Sequence, residues 1–216
     1  MTMAAGAAVW PVTSRAFKRA FDILVSVTAL LVLSPLLAIV AVVVRMRLGT
    51  PVLFRQRRPG LDAVPFEILK FRSMSDDRDP TGMYLSDDAR IGRIGRILRR
   101  TSIDELPELV NVVRGEMSIV GPRPLLVEYL TRYSPDQARR HQVRPGLTGL
   151  AQIRGRNTIS WTERLALDTW YVDNQSFVLD LCIIAGTVKM VVTGQGVDAA
   201  PGVTMARFEG DRPSHT

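Results

Sequence analysis

Apolar residues follow different rhythms in different parts of the chain. From Ile23 to Val44 they run nearly unbroken: 22 residues carry no charge, and the only interruptions are Ser26, Thr28, Ser34 and Pro35. A straight helix of that length covers about 33 Å, enough to cross a bilayer. A soluble core helix is rarely apolar all round for so long. A signal peptide fits poorly, because the run ends in Arg45-Met46-Arg47 rather than at a small-residue cleavage site. Further on, Val52–Arg57 and Phe66–Phe71 alternate around a Pro-Gly loop and predict a β-hairpin. Residues 73–90 are polar and predict a loop. Ile91, Ile94 and Leu98 are spaced as one face of a helix, with five arginines, Arg90, Arg93, Arg96, Arg99 and Arg100, around them. Leu106, Leu109, Val110 and Val113 mark another helix. Ser160–Asp173 and Ser176–Thr193 predict two more; the second has two charges and is too short to span.

The pattern predicts a mainly α protein with a small β-hairpin. Its parts are an N-terminal arm (1–14), a membrane helix (15–47), a catalytic domain (48–196) and a flexible tail (197–216).

Two features shape the expected topology of the apolar run. Both flanks are basic, with Arg15, Lys18 and Arg19 before it and Arg45, Arg47, Arg55, Arg57 and Arg58 after it. A spanning helix normally has its Lys/Arg excess on one side. Pro35 also falls at mid-run, where it removes the donor to the Leu31 carbonyl; Ser34 can bond back to Leu30 and help satisfy the break. Both features suit a re-entrant hairpin in one leaflet, while proline is also common in spanning helices. The Arg90–Arg100 helix reads either as an interfacial amphipathic helix or as a solvated basic face over a core stripe. Gly92 and Gly95 weaken it by roughly 1 kcal/mol each.

Composition narrows the chemistry. The 216 residues include 28 Lys+Arg and 21 Asp+Glu, a net charge of +7, with 46% hydrophobic residues. Such a chain is neither disordered nor, with Cys182 alone, a disulfide scaffold. One cysteine and two histidines make a structural zinc site a poor fit. The basic excess leaves nucleic acid, an anionic membrane or a phosphorylated substrate as partners.

Three segments carry candidate chemistry. In Thr101–Arg114, Asp104 and Glu105 fall at a helix start, with Ser102 and Glu105 spaced as a capping box and Asp104 an alternative N-cap. They either complement the helix dipole and nothing more, or they stay ionised beside arginines where phosphate would dock. In Gly121-Pro122-Arg123-Pro124, two prolines restrict the backbone around a guanidinium, which suits a phosphate clamp. In Arg144–Gly149, followed by Gln152, Arg154 and Arg156, glycines would let backbone approach a ligand. Asp77-Arg78-Asp79 has the Asp-x-Asp form used by metal-dependent glycosyltransferases.

Taken in order, these segments resemble the bacterial sugar transferase family, the monotopic phosphoglycosyl transferases. The likeness rests on the apolar run with Ser34-Pro35, Lys70-Phe71-Arg72-Ser73-Met74, Ser102–Pro107, Asn111–Pro124, Arg144–Gly149, Gly155-Arg156-Asn157 and Tyr171–Phe177. It implies a re-entrant helix with catalysis at the cytoplasmic face of the bacterial inner membrane. It also implies transfer of a sugar 1-phosphate from a nucleotide sugar, usually UDP-linked, to undecaprenyl phosphate. By the same resemblance Asp104 is the nucleophile, Glu105 its partner and Mg²⁺ bound at the pair. Arg99, Arg123 and Arg156 would engage phosphate, as Arg144 would by its own glycine-flanked, anion-seeking setting, and Asp168 and Asp180 would be acidic residues near the site. The partners implied are the nucleotide sugar, the lipid phosphate and the bilayer, with no nucleic acid; a homo-oligomer is left open. Two other readings compete: an Asp-x-Asp glycosyltransferase using Asp77 and Asp79, and a non-catalytic membrane-anchored protein with an anion-binding surface.

Overall fold

Helix α1 runs from Val12 to Leu48 and carries Pro35 inside it. The computed structural model describes residues 12–155, 159–193 and 207–210. Helix assignment persists through Pro35, so no loop opens at the expected break. The Ser34 hydroxyl donates to the Leu31 carbonyl at 2.8 Å, not to Leu30. Leu31 is the acceptor that Pro35 leaves without its N–H, so the side chain replaces the lost backbone bond. One helical stretch, Arg15–Leu48, is long and apolar enough to cross a membrane, and its middle is bare: Leu24, Leu31, Val32 and Ile39 are all exposed.

Both ends of α1 are fastened to the rest of the protein. Near its start, buried Asp22 accepts from the Ser118 hydroxyl at 2.8 Å, and Lys18 pairs with Asp180 at 2.6 Å. Arg19 donates to the carbonyls of Val112 and Val113, which end the helix α4 described below. Near its other end, Val40 and Val44 pack with Phe71 and Leu98.

Strands β1 (Leu53–Pro59) and β2 (Pro65–Phe71) form the expected antiparallel hairpin, with Gln56 opposite Ile68. The next segment is mostly loop, with the one-turn helix α2 at Asp87–Arg90. Helix α3 follows at Arg93–Arg100. Its Ile94 and Leu98 turn inward onto α1, while its arginines face out. The apolar stripe that an interfacial helix would show to lipid is thus in the core. Gly95 explains itself here: a Cβ would lie 1.9 Å from the Ser73 carbonyl oxygen, so only glycine lets α3 pack this closely.

A 3₁₀ turn at Ile103–Glu105 leads into helix α4, Glu108–Arg114. The capping expectation does not hold. Ser102 adopts a left-handed backbone at φ 54° and makes no side-chain cap, and neither it nor Asp104 starts α4, whose N-cap position is Pro107. The buried face of α4 is Glu108, Leu109, Asn111 and Val112. Asn111 binds the outer edge of β2, accepting from Leu69 N–H at 3.0 Å and donating to the Glu67 carbonyl at 2.7 Å. An edge that would otherwise expose unpaired backbone is closed in this way.

Beyond the hairpin, β3 (Ser118–Val120) pairs in parallel with β4 (Gly146–Thr148). Short helices α5 (Pro135–Ala138) and α6 (Leu150–Arg154) lead to α7 (Trp161–Asn174) and α8 (Phe177–Thr193). Ser160 caps α7 by accepting from Glu163 N–H at 3.1 Å. The central core joins Ile68, Val112, Met117, Val120, Tyr171 and Ile183. Tyr171 is fully buried and Trp161 packs in a second aromatic cluster, so of these aromatics only Trp170 is largely exposed. Residues 207–210 fall within the span expected to be a flexible tail; they are docked, with Phe208 buried.

Candidate active site

Asp104 and Glu105 sit in the 3₁₀ turn between α3 and α4, directly over Lys70 at the end of β2. They open onto a cavity of about 790 Å³ between the hairpin, the loop after it and the Pro122–Pro124 segment. That space suits a drug-sized or nucleotide-sized ligand. Its walls are strongly cationic: Arg58, Lys70, Arg72, Arg99 and Arg123 all contribute.

Glu105 holds two of these cations. Arg123 reaches it with both terminal nitrogens, one at 3.3 Å and the other in a shorter contact, and Lys70 lies 2.8 Å away. Burial pushes this carboxyl up, but Arg123 and Lys70 outweigh it and hold Glu105 well below the usual range. Arg123 is correspondingly raised by Glu105. A guanidinium has five donors. Glu105 takes two of Arg123's, leaving three unused among the described residues. Lys70 also lies 3.0 Å from buried Glu108, close but not aligned as a hydrogen bond, and burial pushes Glu108 up to about 7.

Asp104 differs from its neighbour. It is buried to 7% exposure, lines the cavity, and has no hydrogen-bond partner among the described residues. Burial raises its pKa, with the Glu105 charge adding to this, while Lys70, Arg99 and Arg123 pull it back. Two adjacent carboxyls are thereby separated in character: one locked into an ion-pair network, the other free to meet a ligand.

Of the arginines expected to hold phosphate, Arg99 and Arg123 line the cavity, and Arg99 is steadied by a 3.0 Å bond to Ser73. Arg144 does not line it. Its Nε donates to the Gly115 carbonyl at 2.8 Å, at the far end of α4. The glycines around it serve a different contact from the one expected. A Cβ on Gly146 would come within 2.1 Å of Gly121 N, so they let β3 and β4 meet each other rather than a ligand. Arg156 lies outside the described residues.

Asp168 and Asp180 are not on the cavity wall either. Asp168 is buried against Arg140, whose Nη2 lies 2.7 Å both from that carboxylate and from the Arg123 carbonyl. It therefore supports the Arg123 backbone at one remove. Asp180 joins Lys18 to the Tyr171 hydroxyl, which lies 2.6 Å from it, and so ties α8 to α1. Asp79 is occupied in its own loop, accepting from Thr81 and Met83 N–H groups, and neither it nor Asp77 lines the cavity.

Lys70 and Arg72 were marked in the sequence only through the Lys70–Met74 motif, which gave the place but not the contacts, and Arg58 only as part of the basic flank of the apolar run. Arg58 has a buried Nε without a hydrogen-bond partner among the described residues, a donor that an anion in the cavity could meet. Burial, with Arg123 nearby, lowers its pKa.

The profile of the bacterial sugar transferases matches residues 13–194. The chain belongs to this family. It is an enzyme, a phosphoglycosyl transferase. An uncharacterized sugar transferase of Bacillus subtilis, EpsL, is 50% identical over 193 residues, covering 89% of this chain and 96% of the relative. An exopolysaccharide production protein of Rhizobium leguminosarum bv. phaseoli, PSS, is 45% identical, covering 83% of this chain and 97% of its own length. A UDP-glucose:undecaprenyl-phosphate glucose-1-phosphate transferase of Caulobacter vibrioides is 42% identical over 186 residues, covering 82% and 70%.

Proposed function

We propose that this enzyme transfers a sugar 1-phosphate from a UDP-sugar to undecaprenyl phosphate, with UMP as the leaving group, through a covalent intermediate on Asp104. The product would start a membrane-assembled glycan of the exopolysaccharide, O-antigen, capsule or glycoprotein type. The observation that carries this reading is the Asp104 carboxylate: unpartnered among the described residues, and facing a cationic cavity large enough for a nucleotide sugar. The activity of the Caulobacter relative and the exopolysaccharide role of the Rhizobium relative agree with it.

The proposed chemistry has two displacements. Asp104 attacks the phosphorus that bears the sugar; an O–P bond forms, the bond to UMP breaks, and UMP departs with the electron pair. An oxygen of the lipid phosphate then attacks the same phosphorus, and the Asp104 carboxylate is released. An anion attacking a diphosphate needs charge neutralised at both ends. Arg99, Lys70 and the three remaining donors of Arg123 would supply this, with Arg58 close by. Glu105 would keep Lys70 and Arg123 in place.

The residues also fit Mg²⁺, which binds one or two carboxylates plus substrate phosphates rather than a full protein cage. Asp104 would be the main ligand, since both Glu105 oxygens already face cations. No cluster of three or more metal-ligating side chains exists among the described residues, as such a shared site would require none. The ion would lower the charge of the diphosphate and its leaving group.

We further propose that α1 enters and leaves one leaflet, at the cytoplasmic face of the inner membrane. The support is that one folded domain grips both Asp22 and Val44, on either side of the bare apolar stretch. A spanning helix would put those two ends on opposite faces of the bilayer, where a domain lying on one face could not hold both.

The test is UMP release in detergent from a panel of UDP-sugars, with undecaprenyl phosphate and Mg²⁺. Release of UMP matched by phosphosugar-lipid is expected. Release of UDP would instead favour ordinary glycosyl transfer, and no turnover with any donor would favour an anion-binding protein.

A further inference from the structure

The C-terminal segment Arg207–Gly210 touches the protein at a place that bears on the reaction. Arg123 lies on an arm, residues 121–133, whose regular structure is limited to a 3₁₀ turn at Val127–Arg132. The arm's first residues are pinned where Gly121 N–H donates to Thr148 O at 2.9 Å, and where Arg140 holds the Arg123 carbonyl. Its far end closes on Phe208. The Phe208 ring meets Tyr129 edge-on at 5.6 Å, stacks on Tyr133 at 5.6 Å and lies 5.3 Å from Trp161, the first residue of α7. Leu125, two residues from Arg123, completes the same buried cluster with Leu165.

The backbone and the flanking charge add to this. Phe208 N–H donates to the Tyr129 hydroxyl at 3.3 Å, its carbonyl accepts from Arg132, and Arg207 pairs with Glu128. Tyr129, Arg132, Tyr133 and Glu128 all belong to the arm, while Trp161 and Leu165 belong to α7. The segment thus stitches the arm to a long helix at the end that no β-pairing secures. Strand β1, which carries Arg58 of the cavity wall, also packs against the Val127–Arg132 turn, so the aromatic cluster lies beside the site.

We propose that Arg207–Gly210 is a strap that holds the Arg123 arm in register with Glu105, making Phe208 a positioning residue for phosphosugar transfer. This rests on the reading of Arg123 as a residue that meets substrate phosphate. Catalytic geometry is steep in distance, and a displacement of about 1 Å can cost on the order of a hundredfold in rate. Buried aromatic packing of this kind is what keeps an otherwise irregular arm from sampling such displacements.

The experiment uses the full chain in detergent and measures two things: amide hydrogen exchange of residues 124–133, and turnover. Phe208→Ala is expected to speed exchange in the arm and to lower kcat roughly ten- to hundredfold. Phe208→Leu, which refills most of the space, should recover most of the rate. In an Arg123→Lys background, Phe208→Ala should cost less than about twofold more, because the strap acts through the fork already lost. If Phe208→Ala cannot be purified folded, Arg207→Ala and Phe208→Leu serve as milder variants, with arm exchange expected to rise in that order of disruption. Unchanged arm exchange would overturn the proposal, as would an increased rate, which would make the segment a lid. Multiplying losses in the double variant would also overturn it. If the parent enzyme releases no UMP, the proposed function fails while the exchange measurement still decides whether the strap exists.

Discussion

At Glu105, burial and two cations pull in opposite directions, and the cations win. Burial favours the neutral acid, but Arg123 and Lys70 hold the carboxylate ionised. At Asp104 the balance reverses: burial dominates, the neighbouring Glu105 charge adds to it, and the pKa rises. A carboxylate of raised pKa is a stronger nucleophile once ionised, which is the property a phosphoryl acceptor needs. Arg123→Lys keeps the charge but loses the fork that grips Glu105 and leaves donors over. We expect kcat/KM to fall roughly a hundredfold, as when one transition-state donor is removed, with little change in melting temperature. An unchanged kcat/KM in that variant would reduce Arg123 to a turn residue. The pair Asp104-Glu105 was legible as a motif. Its partners were not, because Lys70 lies 35 residues upstream of Glu105 and Arg123 lies 18 downstream. Arg123 and Arg144 also look alike in sequence, each beside proline and glycine. Only the folded chain separates them, one facing the cavity and the other a backbone carbonyl.

Among the elements, α1 and the hairpin were readable because each repeats a rhythm long enough to detect. The parallel pair β3–β4 was not: three-residue strands are too short for alternation to register, and their glycines looked like turns. The amphipathic pattern of α3 was read correctly as a stripe, but periodicity cannot say whether a stripe meets lipid or protein. At this scale the proposed topology makes a direct prediction. Single cysteines at Ser14 and Thr50, placed in a Cys182→Ser background because Cys182 is exposed, bracket the apolar stretch. A membrane-impermeant thiol reagent applied to spheroplasts should label neither, and should label both after lysis. Labelling of one end before lysis would replace the re-entrant arrangement by a spanning one.

For the whole molecule, three distant parts of the chain converge on one cavity. The hairpin brings Lys70, the turn before α4 brings Asp104 and Glu105, and the Pro-flanked arm brings Arg123, while α1, which carries the apolar run, is fastened to the same domain. A lipid phosphate confined to the bilayer and a nucleotide sugar confined to water could both reach such a site without either crossing the membrane. Simultaneous binding of both would crowd two anions into the same cationic wall, and a covalent route avoids this by letting UMP leave first. The most direct measurement is intact mass spectrometry of the purified enzyme after donor and Mg²⁺ are added with lipid withheld. The account predicts a gain equal to one phosphosugar, mapping to Asp104, absent in Asp104→Asn and discharged when undecaprenyl phosphate is supplied. An enzyme that turns over with both substrates yet never carries that added mass would contradict it.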